Sequence, residues 1–369
     1  MNELGYWVGF NKVQGIGPLR LRALLDTYGS IERAWHAPGE QLSRVGLDNR
    51  SVKNLLEARS EIDLEQELKR LEAMNVRALT WESPDYPRLL LETNAPPPVL
   101  YVKGELTEQD AWAVAIVGTR RASTYGREVT RRLAGALARN GITVVSGMAR
   151  GIDGVAHRAA LEAGGRTVAV FGCGIDRIYP PEHRKLAQQI AAHGALVSDY
   201  PLGTPPEGRN FPPRNRIISG LSLGVLVTNA GKTSGALITA DFAAEQGRDV
   251  FAVPGSVLTR GSIGPNRLIQ DGAKLVSTAE DILEELNLTM VAEQKQARQI
   301  LPEDETEATL LEHLSADPTH VDDLQQKIDL PISEVTSTLA MMELKGMVRQ
   351  VGGMKYVVAR EPGVSYIVE

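Results

Sequence analysis

The order of apolar and polar positions predicts alternating strands and helices in the middle of the chain. Between about residues 112 and 286, six short apolar runs predict strands: WAVAIVG, TVVSG, TVAVFG, ALVSD, GVLVTN and DVFAVPG. Helices are predicted after them, through YGREVTRRLAGALARN, DGVAHRAALEAG, PEHRKLAQQIAAHG, SGALITADFAAEQG and AEDILEELN. Nearly continuous apolar strands with helices between them are typical of a parallel sheet covered on both faces. The predicted fold class is therefore α/β, with an extended Rossmann-like domain.

The regions before and after this domain differ from it in hydrophobic periodicity and composition. Residues 1–75 carry short apolar-periodic runs and are predicted to form a helical domain. The Rossmann-like domain is expected at 76–288, and it opens with a connector, SPDYPRLLLETNAPPPVL, whose prolines interrupt a regular helix. Residues 289–307 are polar and acidic, which predicts a linker. Three helical patterns and a Gly-centred hairpin in 308–369 predict a winged helix.

Composition places the chain among ordinary globular proteins. It has 369 residues, of which 43% are hydrophobic and 23% are charged, so a packed core is expected. Its single cysteine, Cys173, excludes an internal disulfide and fits a reducing compartment. The first residues do not have the pattern of a signal peptide, and no apolar run approaches the roughly 18 residues of a membrane span. A soluble, cytoplasmic protein with no membrane partner is therefore expected.

Positive charge is concentrated in the predicted sheet domain. The whole chain has a formal net charge of −6, yet residues 118–216 contain fifteen Lys/Arg against seven Asp/Glu. Exposed helix faces account for part of this excess. Because charges separated by more than about 10 Å are screened from each other, the local excess matters more to an anionic partner than the net charge does.

Small and basic residues follow the first two predicted strands. The first strand ends in a glycine turn with two arginines, namely Gly118, Thr119, Arg120 and Arg121. The second ends in Ser146 and Gly147, and continues to Arg150 and Gly151. Glycine lets the backbone approach an anion, helix N-termini present N–H donors, and guanidinium groups match phosphate oxygens. These turns are candidates for phosphate binding, and solvated tight turns are the alternative.

Two familiar nucleotide motifs are absent from the sequence. GTRRASTYG lacks the G-x-G-x-x-G spacing of dinucleotide-binding turns. GKTS resembles the end of a phosphate loop, but Leu226 stands where that motif requires glycine. An NTPase is therefore excluded, although Lys232, with Ser234 and Gly235 at a helix start, still suits a phosphate contact.

The segment from Gly208 to Gly220 is the richest in residues suited to nucleic acid. It combines a proline-stiffened turn with an aromatic ring, an amide and basic residues, notably Phe211, Arg214, Asn215 and Arg216. Arginine and asparagine serve phosphates and base edges, and phenylalanine stacks on bases. An internal ion pair for one arginine is the alternative.

The titratable residues of these turns are assigned structural roles. Asp153 suits the first turn of a helix, and His157, one turn on, is expected to be packed. Cys173, between two glycines, is expected to be a small buried residue. Asp176 and Glu182 are explained as helix-end charges. No catalytic residue, metal or cofactor is predicted.

The ordered runs VGTRRASTYG, SGMARGIDGVAHRAAL, FGCGIDRIYPPEHRKL, FPPRNRIISGLS, SGALITADFAAEQGRDVFAVPG and GPNRLIQDGAKLV resemble the DNA-processing protein A (DprA/Smf) family over about residues 80–285. VQGIGPLRLRALLDTYGS also looks like the SAM or helix-hairpin-helix module that often precedes this domain. The resemblance implies a single-stranded DNA-binding protein, not an enzyme, that acts in natural transformation and recombination. Such proteins protect incoming strands, load the RecA recombinase and work as homodimers.

The resemblance also implies a binding site. Phosphates would be held at Gly118, Thr119 and Arg120, with the second turn beside them and the arginines of 208–220 at the rim. The full set expected to contact DNA is Gly118, Thr119, Arg120, Arg121, Ser146, Gly147, Arg150, Gly151, Arg184, Lys185, Phe211, Arg214, Asn215, Arg216 and Lys232. Arg184 and Lys185 enter because Pro181 stands where some members are basic. A second departure is Thr228-Asn229-Ala230, where the family commonly has Val-Glu-Ala.

Two other functions are weighed against DNA binding by the sheet domain. A phosphoribohydrolase-like enzyme on the same fold needs a glutamate after the fifth strand, where this chain reads NAGKTSGALITA. A winged-helix DNA-binding regulator needs a basic recognition helix, and the helix that starts near Pro331 is not basic. The Gly15-Ile16-Gly17 turn fits phosphate binding and a plain helix turn equally well.

Overall fold

A computed structural model describes residues 3–288, 305–315, 318–328, 330–344 and 347–358. The chain divides into two compact units, Met1–Thr289 and Met290–Glu369. The predicted linker at 289–307 falls mostly outside the described residues, as do the last eleven positions of the predicted winged helix.

Within residues 3–288, nine strands form one sheet in the order β1-β2-β6-β5-β4-β3-β7-β8-β9. From β6 to β9 every neighbouring pair in this order is parallel, whereas β1 pairs with β2, and β2 with β6, antiparallel. The strands are β1 (Arg77–Thr80), β2 (Val99–Gly104), β3 (Ala113–Gly118), β4 (Thr143–Ser146), β5 (Thr167–Val170), β6 (Ala195–Ser198), β7 (Gly224–Asn229), β8 (Asp249–Ala252) and β9 (Lys274–Leu275).

Helices precede the sheet and connect its strands. The first group is α1 (Glu3–Lys12), α2 (Pro18–Tyr28), α3 (Ile31–His36), α4 (Gly39–Arg44), α5 (Asn49–Glu61), α6 (Leu64–Ala73) and α7 (Arg88–Leu91). The second group is α8 (Thr124–Arg139), α9 (Ile152–Glu162), α10 (Arg184–His193), α11 (Phe211–Gly220), α12 (Gly235–Glu245), α13 (Ile263–Gln270) and α14 (Glu280–Glu285).

The predicted α/β fold class is confirmed. All six predicted strands and the five predicted helices are present. Their apolar runs are buried, and a serine side chain caps the starts of α8 and α12. Ser123, for example, accepts a hydrogen bond from the backbone N–H of Gly126 at the start of α8. The sequence did not predict β1 and β2. These two strands lie on either side of the proline-rich connector in the sequence, and they pair antiparallel at one end of the sheet.

The order of the parallel strands fixes where a ligand site can form. Successive strands β3, β4, β5 and β6 run outward in one direction, and the chain then returns to place β7 on the other side of β3. The sheet therefore has a switch point between β3 and β7. In open α/β sheets, ligands bind in the crevice outside the carboxyl ends of the strands at such a point.

The amino-terminal helices share a hydrophobic core with the sheet. One continuous cluster joins Trp7, Phe10 and Trp35 to Phe171 and Leu196, which are residues of β5, β6 and their loops. Asn11 of α1 also donates a hydrogen bond to the backbone carbonyl of Asp199, at 3.0 Å. The predicted helical region thus packs on one side of the sheet within the same compact unit.

The second unit has the winged-helix arrangement. Its described helices are α15 (Glu305–Glu312), α16 (Val321–Lys327) and α17 (Ile332–Leu344), and β10 (Thr319–His320), β11 (Val348–Gln350) and β12 (Lys355–Val358) form an antiparallel sheet in the order β10-β12-β11. Leu310, Leu324, Leu339 and Met342 are buried in its core. The predicted winged helix is confirmed, and its first helix begins at Glu305.

Candidate nucleic-acid interface

A pocket of about 420 Å³ lies at the carboxyl ends of β3 and β4, beside the switch point. Three walls enclose it: the turn after β3, the start of α11, and the start of α12. We call it the carboxyl-edge pocket, and its lining residues are Val117, Gly118, Thr119, Arg120, Arg121, Ala149, Asp153, Gly208, Phe211, Pro212, Arg214, Asn215, Ile218, Ser234, Gly235, Ala236, Ile238 and Thr239.

The turn after β3 packs so tightly against the start of α9 that neither Gly118 nor Gly151 can carry a side chain. A Cβ atom on Gly118 would lie 2.4 Å from the Ile152 side chain, at the start of α9. Gly151 has a φ of +77°, and a Cβ there would lie 2.3 Å from the Thr119 carbonyl oxygen. These close approaches hold the backbone of the arginine turn against α9, because only glycine fits at both positions.

Arg120 projects from this turn without a carboxylate partner. It makes no ion pair within the described part of the chain, and its guanidinium carbon lies 5.5 Å from the centre of the Phe211 ring. The Phe211 ring in turn packs against Tyr179, with ring centres 5.6 Å apart. Phe211 therefore supports an exposed cation at the pocket mouth through a cation–π contact.

Arg214 has the opposite situation, since its side chain is buried beneath the pocket. Its exposed fraction is 4%. Its Nη1 group donates hydrogen bonds to the carbonyl oxygens of Gly147, at 2.8 Å, and of Val170. Arg214 thus ties α11 to the carboxyl ends of β4 and β5. A Cβ on Gly147 would lie 2.7 Å from the same guanidinium, which explains the glycine there.

Asp153 lies close to these arginines at the base of the pocket. Burial raises the pKa of its carboxyl group, and the nearby Arg214, the backbone N–H groups of Ala149 and Gly147, and Arg120 oppose this shift. Burial also lowers the pKa of Arg214, while Asp153 opposes that change. The predicted structural role of Asp153 agrees with its hydrogen bond from the Ala149 N–H, at 3.2 Å.

The third wall is the N-terminus of an eleven-residue helix, α12. Ser234 caps it by accepting a hydrogen bond from the Ala236 N–H, at 3.4 Å. Asn215 joins this wall to α11 by donating from Nδ2 to the Gly235 carbonyl oxygen, at 3.2 Å. The positive end of the helix dipole therefore faces the same space as Arg120.

A smaller recess adjoins the pocket and adds the second predicted turn. It is lined by Gly147, Arg150, Tyr179, Pro180 and four residues of the main pocket, Arg120, Ala149, Phe211 and Arg214. Arg150 also forms an exposed ion pair with Glu182, which does not line the recess. The hydrogen bond between them raises the pKa of Arg150 and lowers the pKa of Glu182.

The structure brings most of the predicted DNA-contacting residues to one place. The pocket and its recess are lined by Gly118, Thr119, Arg120, Arg121, Gly147, Arg150, Phe211, Arg214 and Asn215. The other predicted residues, Ser146, Gly151, Arg184, Lys185, Arg216 and Lys232, do not line either space. Arg184, Lys185 and Lys232 are exposed elsewhere on the surface. Ser146 is buried and donates to the Ile116 carbonyl oxygen, at 2.6 Å.

Arg216 has the internal ion pair that the sequence left open as an alternative. Its Nη2 lies 2.8 Å from Oδ2 of Asp199, and its Nη1 donates to the carbonyl oxygen of Ala95. Burial raises the pKa of Asp199, and Arg216 opposes that shift. Arg216 therefore anchors the proline-rich connector to the end of β6, on the side of α11 away from the pocket.

Asn229 explains the sequence departure at the end of β7. Its side-chain Oδ1 accepts from the Ser123 N–H, at 3.2 Å, and its Nδ2 donates to the Gly261 carbonyl oxygen, at 3.0 Å. Its backbone oxygen accepts from the Thr119 N–H, at 2.7 Å. An ionised carboxylate would have no donor for Gly261, so the amide holds three loops together at this edge.

His157 and Cys173 are buried, as predicted. Thr167 donates its hydroxyl to the Val144 carbonyl oxygen, so the contact between His157 Nδ1 and Thr167 Oγ1, at 2.7 Å, requires the ring N–H on Nδ1. Nε2 is then unprotonated, and burial lowers the pKa of His157 to about 3. Burial raises the pKa of Cys173 to about 11, which keeps it a thiol.

Three contributors to the pocket carry signals that the sequence analysis did not use. Tyr179 lies in the stretch after the predicted strand TVAVFG, Gly208 opens the segment from Gly208 to Gly220, and Thr239 lies within the predicted helix SGALITADFAAEQG. Among the described residues, no group of three or more His, Cys, Asp or Glu side chains is arranged to hold a metal ion. No helix in the described ranges has the length and apolar character needed to cross a membrane.

The parallel sheet with its switch-point pocket and the separate three-helix unit define a Rossmann-like α/β protein with a winged-helix module. Comparison with known proteins makes this more specific. A family model for DNA recombination-mediator protein A matches residues 77–287, and a model for the DprA winged helix domain matches residues 294–354. The chain belongs to the DNA recombination-mediator protein A family, DprA/Smf, which confirms the resemblance seen in the sequence motifs.

Relatives and solved structures agree with this assignment. Protein Smf of Synechocystis sp. is 38% identical over 392 residues, covering 96% of this chain and 98% of its own length. The X-ray structure of DNA processing protein A from Streptococcus pneumoniae is 35% identical, with a TM-score of 0.68 over 76% of this chain and 97% of that chain. DNA processing protein A from Helicobacter pylori, studied for its single-stranded DNA binding mode, is 31% identical, with a TM-score of 0.52 over 57% of this chain and 95% of that chain.

Proposed function

We propose that the chain is a single-stranded DNA-binding protein that acts in DNA processing and recombination. The observation that carries the proposal is the pair of arginines, Arg120 and Arg121, at a switch-point pocket. Neither makes an ion pair within the described residues, and both line the pocket beside the N-terminus of α12. Cations, a helix N-terminus and glycine turns at one edge suit the phosphates of a flexible polyanion.

We propose that different residues of the pocket contact different phosphates of the strand. A backbone phosphate would lie between the Arg120 guanidinium and the first turn of α12, where Ser234 and Gly235 form the wall. Arg121 and Arg150 would meet the neighbouring phosphates. Because Arg120 already lies over the Phe211 ring, we assign Phe211 to positioning Arg120 rather than to stacking on a base.

Arg214 would act indirectly. Its Nη1 group donates hydrogen bonds to the carbonyl oxygens of Gly147 and Val170, and its side chain is buried beneath the pocket. We therefore propose that Arg214 fixes the second turn, and that its charge adds to the positive potential above it. Arg216, paired with Asp199, has no place in our proposed contact set.

The family supplies the finer part of the proposal. Because the Helicobacter pylori relative was studied for single-stranded DNA binding and the family model is described as a recombination mediator, we propose the same ligand and role for this chain. We further propose that it acts in natural transformation in the cytoplasm, protects incoming strands, works as a homodimer and loads RecA. These roles rest on the family resemblance.

The two alternatives have weaker support. In a phosphoribohydrolase-like enzyme a glutamate stands in the turn region after the fifth parallel strand, and the corresponding stretch here, NAGKTSGALITA, contains no acidic residue. In a winged-helix regulator the recognition helix meets DNA with cations, and α17, ISEVTSTLAMMEL, contains neither lysine nor arginine. We therefore propose binding by the sheet domain rather than catalysis or duplex readout.

The test is fluorescence anisotropy with a labelled dT20 oligonucleotide and a duplex hairpin, each over a salt series. We expect the wild-type protein to prefer the single strand and its affinity to fall steeply with salt. Arg120→Ala should reduce the slope of log affinity against log salt by about 0.7, the value for one neutralised phosphate on a single strand.

Arg132→Ala is the matched control. Arg132 is exposed on α8, loses the same charge when replaced, and does not line the pocket. Its slope should equal that of the wild type. Equal slopes for Arg120→Ala and Arg132→Ala would contradict the proposal, as would equal affinity for single strand and duplex.

A further inference from the structure

A second cavity among the described residues lies away from the carboxyl-edge pocket. It has a volume of about 700 Å³, within the usual range for ligand sites. Its apolar lining includes Val145 of β4, Val168 of β5 and Leu221 after α11. The segment 84–92, which contains α7, and the loop 105–111 complete it. We call it the amino-edge cavity.

Hydrogen bonds place this cavity at the amino ends of the parallel strands. Arg166, which immediately precedes β5, donates to the carbonyl oxygen of Glu105 and to both oxygens of Asp110. Thr143, the first residue of β4, also bonds Asp110, at 2.8 Å. Loop 105–111 therefore lies across the starts of β4 and β5, at the edge of the sheet opposite to the proposed DNA site.

The rim of the cavity is acidic, and not all of its carboxylates form an ion pair among the described residues. Asp110 is neutralised by Arg166, with 2.8 Å between Nη2 and Oδ2. Asp85 pairs with Arg77 and Glu92 pairs with Arg88, so those charges are also compensated. The other two carboxylates of the lining, Glu105 and Glu108, are exposed and make no ion pair within the described ranges.

An exposed tryptophan adjoins this rim. Trp112 directly follows the lining residue Ala111, and 43% of its surface is accessible. Tryptophan is enriched in protein–protein interfaces, where it supplies much of the binding energy. An apolar cavity, two free carboxylates and an exposed indole thus lie within one short stretch of the surface.

We propose that the amino-edge cavity is a docking site for a peptide segment of a protein partner, one that inserts an apolar side chain and presents lysine or arginine beside it. The apolar side chain would meet Val145, Val168 and Leu221, and the cation would meet Glu105 and Glu108. Charge complementarity selects this occupant, because the acidic rim attracts cations and repels nucleic acid. The site would therefore stay open while DNA occupies the opposite edge.

The experiment uses the full-length chain and a fluorescein-labelled acetyl-KFRFK-amide peptide as the probe, with acetyl-EFEFE-amide as the charge-reversed peptide. We expect measurable binding of the basic peptide only. The double variant Glu105→Gln/Glu108→Gln should weaken it three- to tenfold, as two partly exposed ion pairs are lost. Ala111→Arg, which adds a cation to the rim at an exposed position, should weaken binding at least as much.

Glu40→Gln/Glu72→Gln is the matched control, since both carboxylates are exposed, on α4 and α6, and neither lines the cavity. It should leave peptide binding unchanged. Equal losses in the two double variants would overturn the proposal, as would equal binding of the acidic peptide. A fall in sedimentation mass caused by Glu105→Gln/Glu108→Gln would also overturn it, because the occupant would then be a second copy of the chain.

The readout separates this site from the proposed DNA site. Peptide affinity should stay the same when dT20 saturates the protein, and oligonucleotide affinity should stay the same in Glu105→Gln/Glu108→Gln. Displacement of the peptide by the oligonucleotide would mean a shared site and contradict the proposal. Failure of DNA binding alone would leave the peptide result standing.

Discussion

At the two edges of the sheet, the charged side chains without ion-pair partners among the described residues have opposite signs. At the carboxyl edge, Arg120 and Arg121 line a pocket without ion-pair partners among the described residues, and Arg214 is buried below them. At the amino edge, Glu105 and Glu108 are the residues left without such partners. Part of the Lys/Arg excess of the sheet domain therefore lies at the carboxyl edge, while other members, such as Arg184 and Lys185, are exposed elsewhere.

The direction of the parallel strands accounts for much of this difference. Helices α8, α9 and α12 each follow a strand, so their N-termini lie at the carboxyl edge and their C-termini at the amino edge. Aligned peptide dipoles make the first end favourable for anions and the second favourable for cations. The side chains at each edge add to the field that the backbone already provides, and this suits two ligands of opposite charge.

The largest effect is expected when the buried cation of the carboxyl edge is removed. Arg214→Met leaves the Gly147 and Val170 carbonyl oxygens without their donor and Asp153 without its nearby cation. Breaking a buried charged network costs about 3–5 kcal/mol of unfolding free energy. Urea unfolding followed by tryptophan fluorescence measures it, since all four tryptophans lie in Met1–Thr289. A loss below about 1 kcal/mol would refute the structural role of Arg214.

The burial of His157 should also make stability depend on pH. The pKa of His157 is lowered to about 3 by burial and, further, by His183, Arg158 and Arg214. An unfolded histidine binds a proton below about pH 6.5, and the folded chain excludes that proton, so the unfolding free energy falls as pH is lowered below 6.5. Between pH 7 and pH 5 the loss should be about 2 kcal/mol.

His157→Gln isolates this contribution, because glutamine does not titrate and keeps a donor for Thr167. Urea unfolding at pH 7 and pH 5 should give the variant a shallower pH dependence than the wild type. The same dependence in both proteins would mean that His157 is not the group responsible.

The arginine of the amino edge should matter less than Arg214. Arg166 makes bidentate contacts with Asp110, but its side chain remains 20% exposed, so water compensates for part of a lost partner. Arg166→Met should therefore lower the unfolding free energy by about 1–2 kcal/mol, measured by the same urea unfolding. A loss equal to that of Arg214→Met would contradict the contrast between a buried and a partly solvated edge.

The smallest effect concerns the exposed ion pair beside the pocket. Glu182→Gln releases Arg150 for phosphate, and we expect single-stranded DNA affinity to rise about two- to fivefold, because an exposed pair contributes roughly 0.2–1 kcal/mol. Anisotropy with the dT20 oligonucleotide measures it. Glu128→Gln is the matched control, since it releases Arg131 from an exposed pair outside the pocket and should change affinity less.

The sequence predicted the architecture of the carboxyl edge because the signals there are local. Gly118 and Arg120 follow a continuous apolar strand, and Ser123 caps the next helix, so the turn could be placed at a strand end without any long-range information. The same reasoning could not predict β1 and β2. These strands flank a proline-rich connector, and their antiparallel pairing depends on contacts with β6 that are distant in sequence.

The roles of Arg214 and Arg216 show where local reasoning ends. They are two residues apart on α11, so they lie on different sides of the helix, and only its packing decides which one lies under the pocket. Arg214 meets Gly147 there, and Arg216 meets Asp199 on the other side. Asn229 is a similar case, because its partners come from two loops that are far apart in the sequence, one with Thr119 and Ser123 and the other with Gly261.

The shared core of α1 and the sheet has a practical consequence for anyone who shortens this chain. Trp7 and Phe10 form one apolar cluster with Phe171 and Leu196. A fragment that begins at the connector would therefore expose the apolar side chains on this side of its sheet to water. Such a fragment is expected to aggregate, and to bind detergents and dyes that recognise exposed apolar surface. The first seventy-odd residues are thus a covering that the remainder requires, whatever they contact on their outer side.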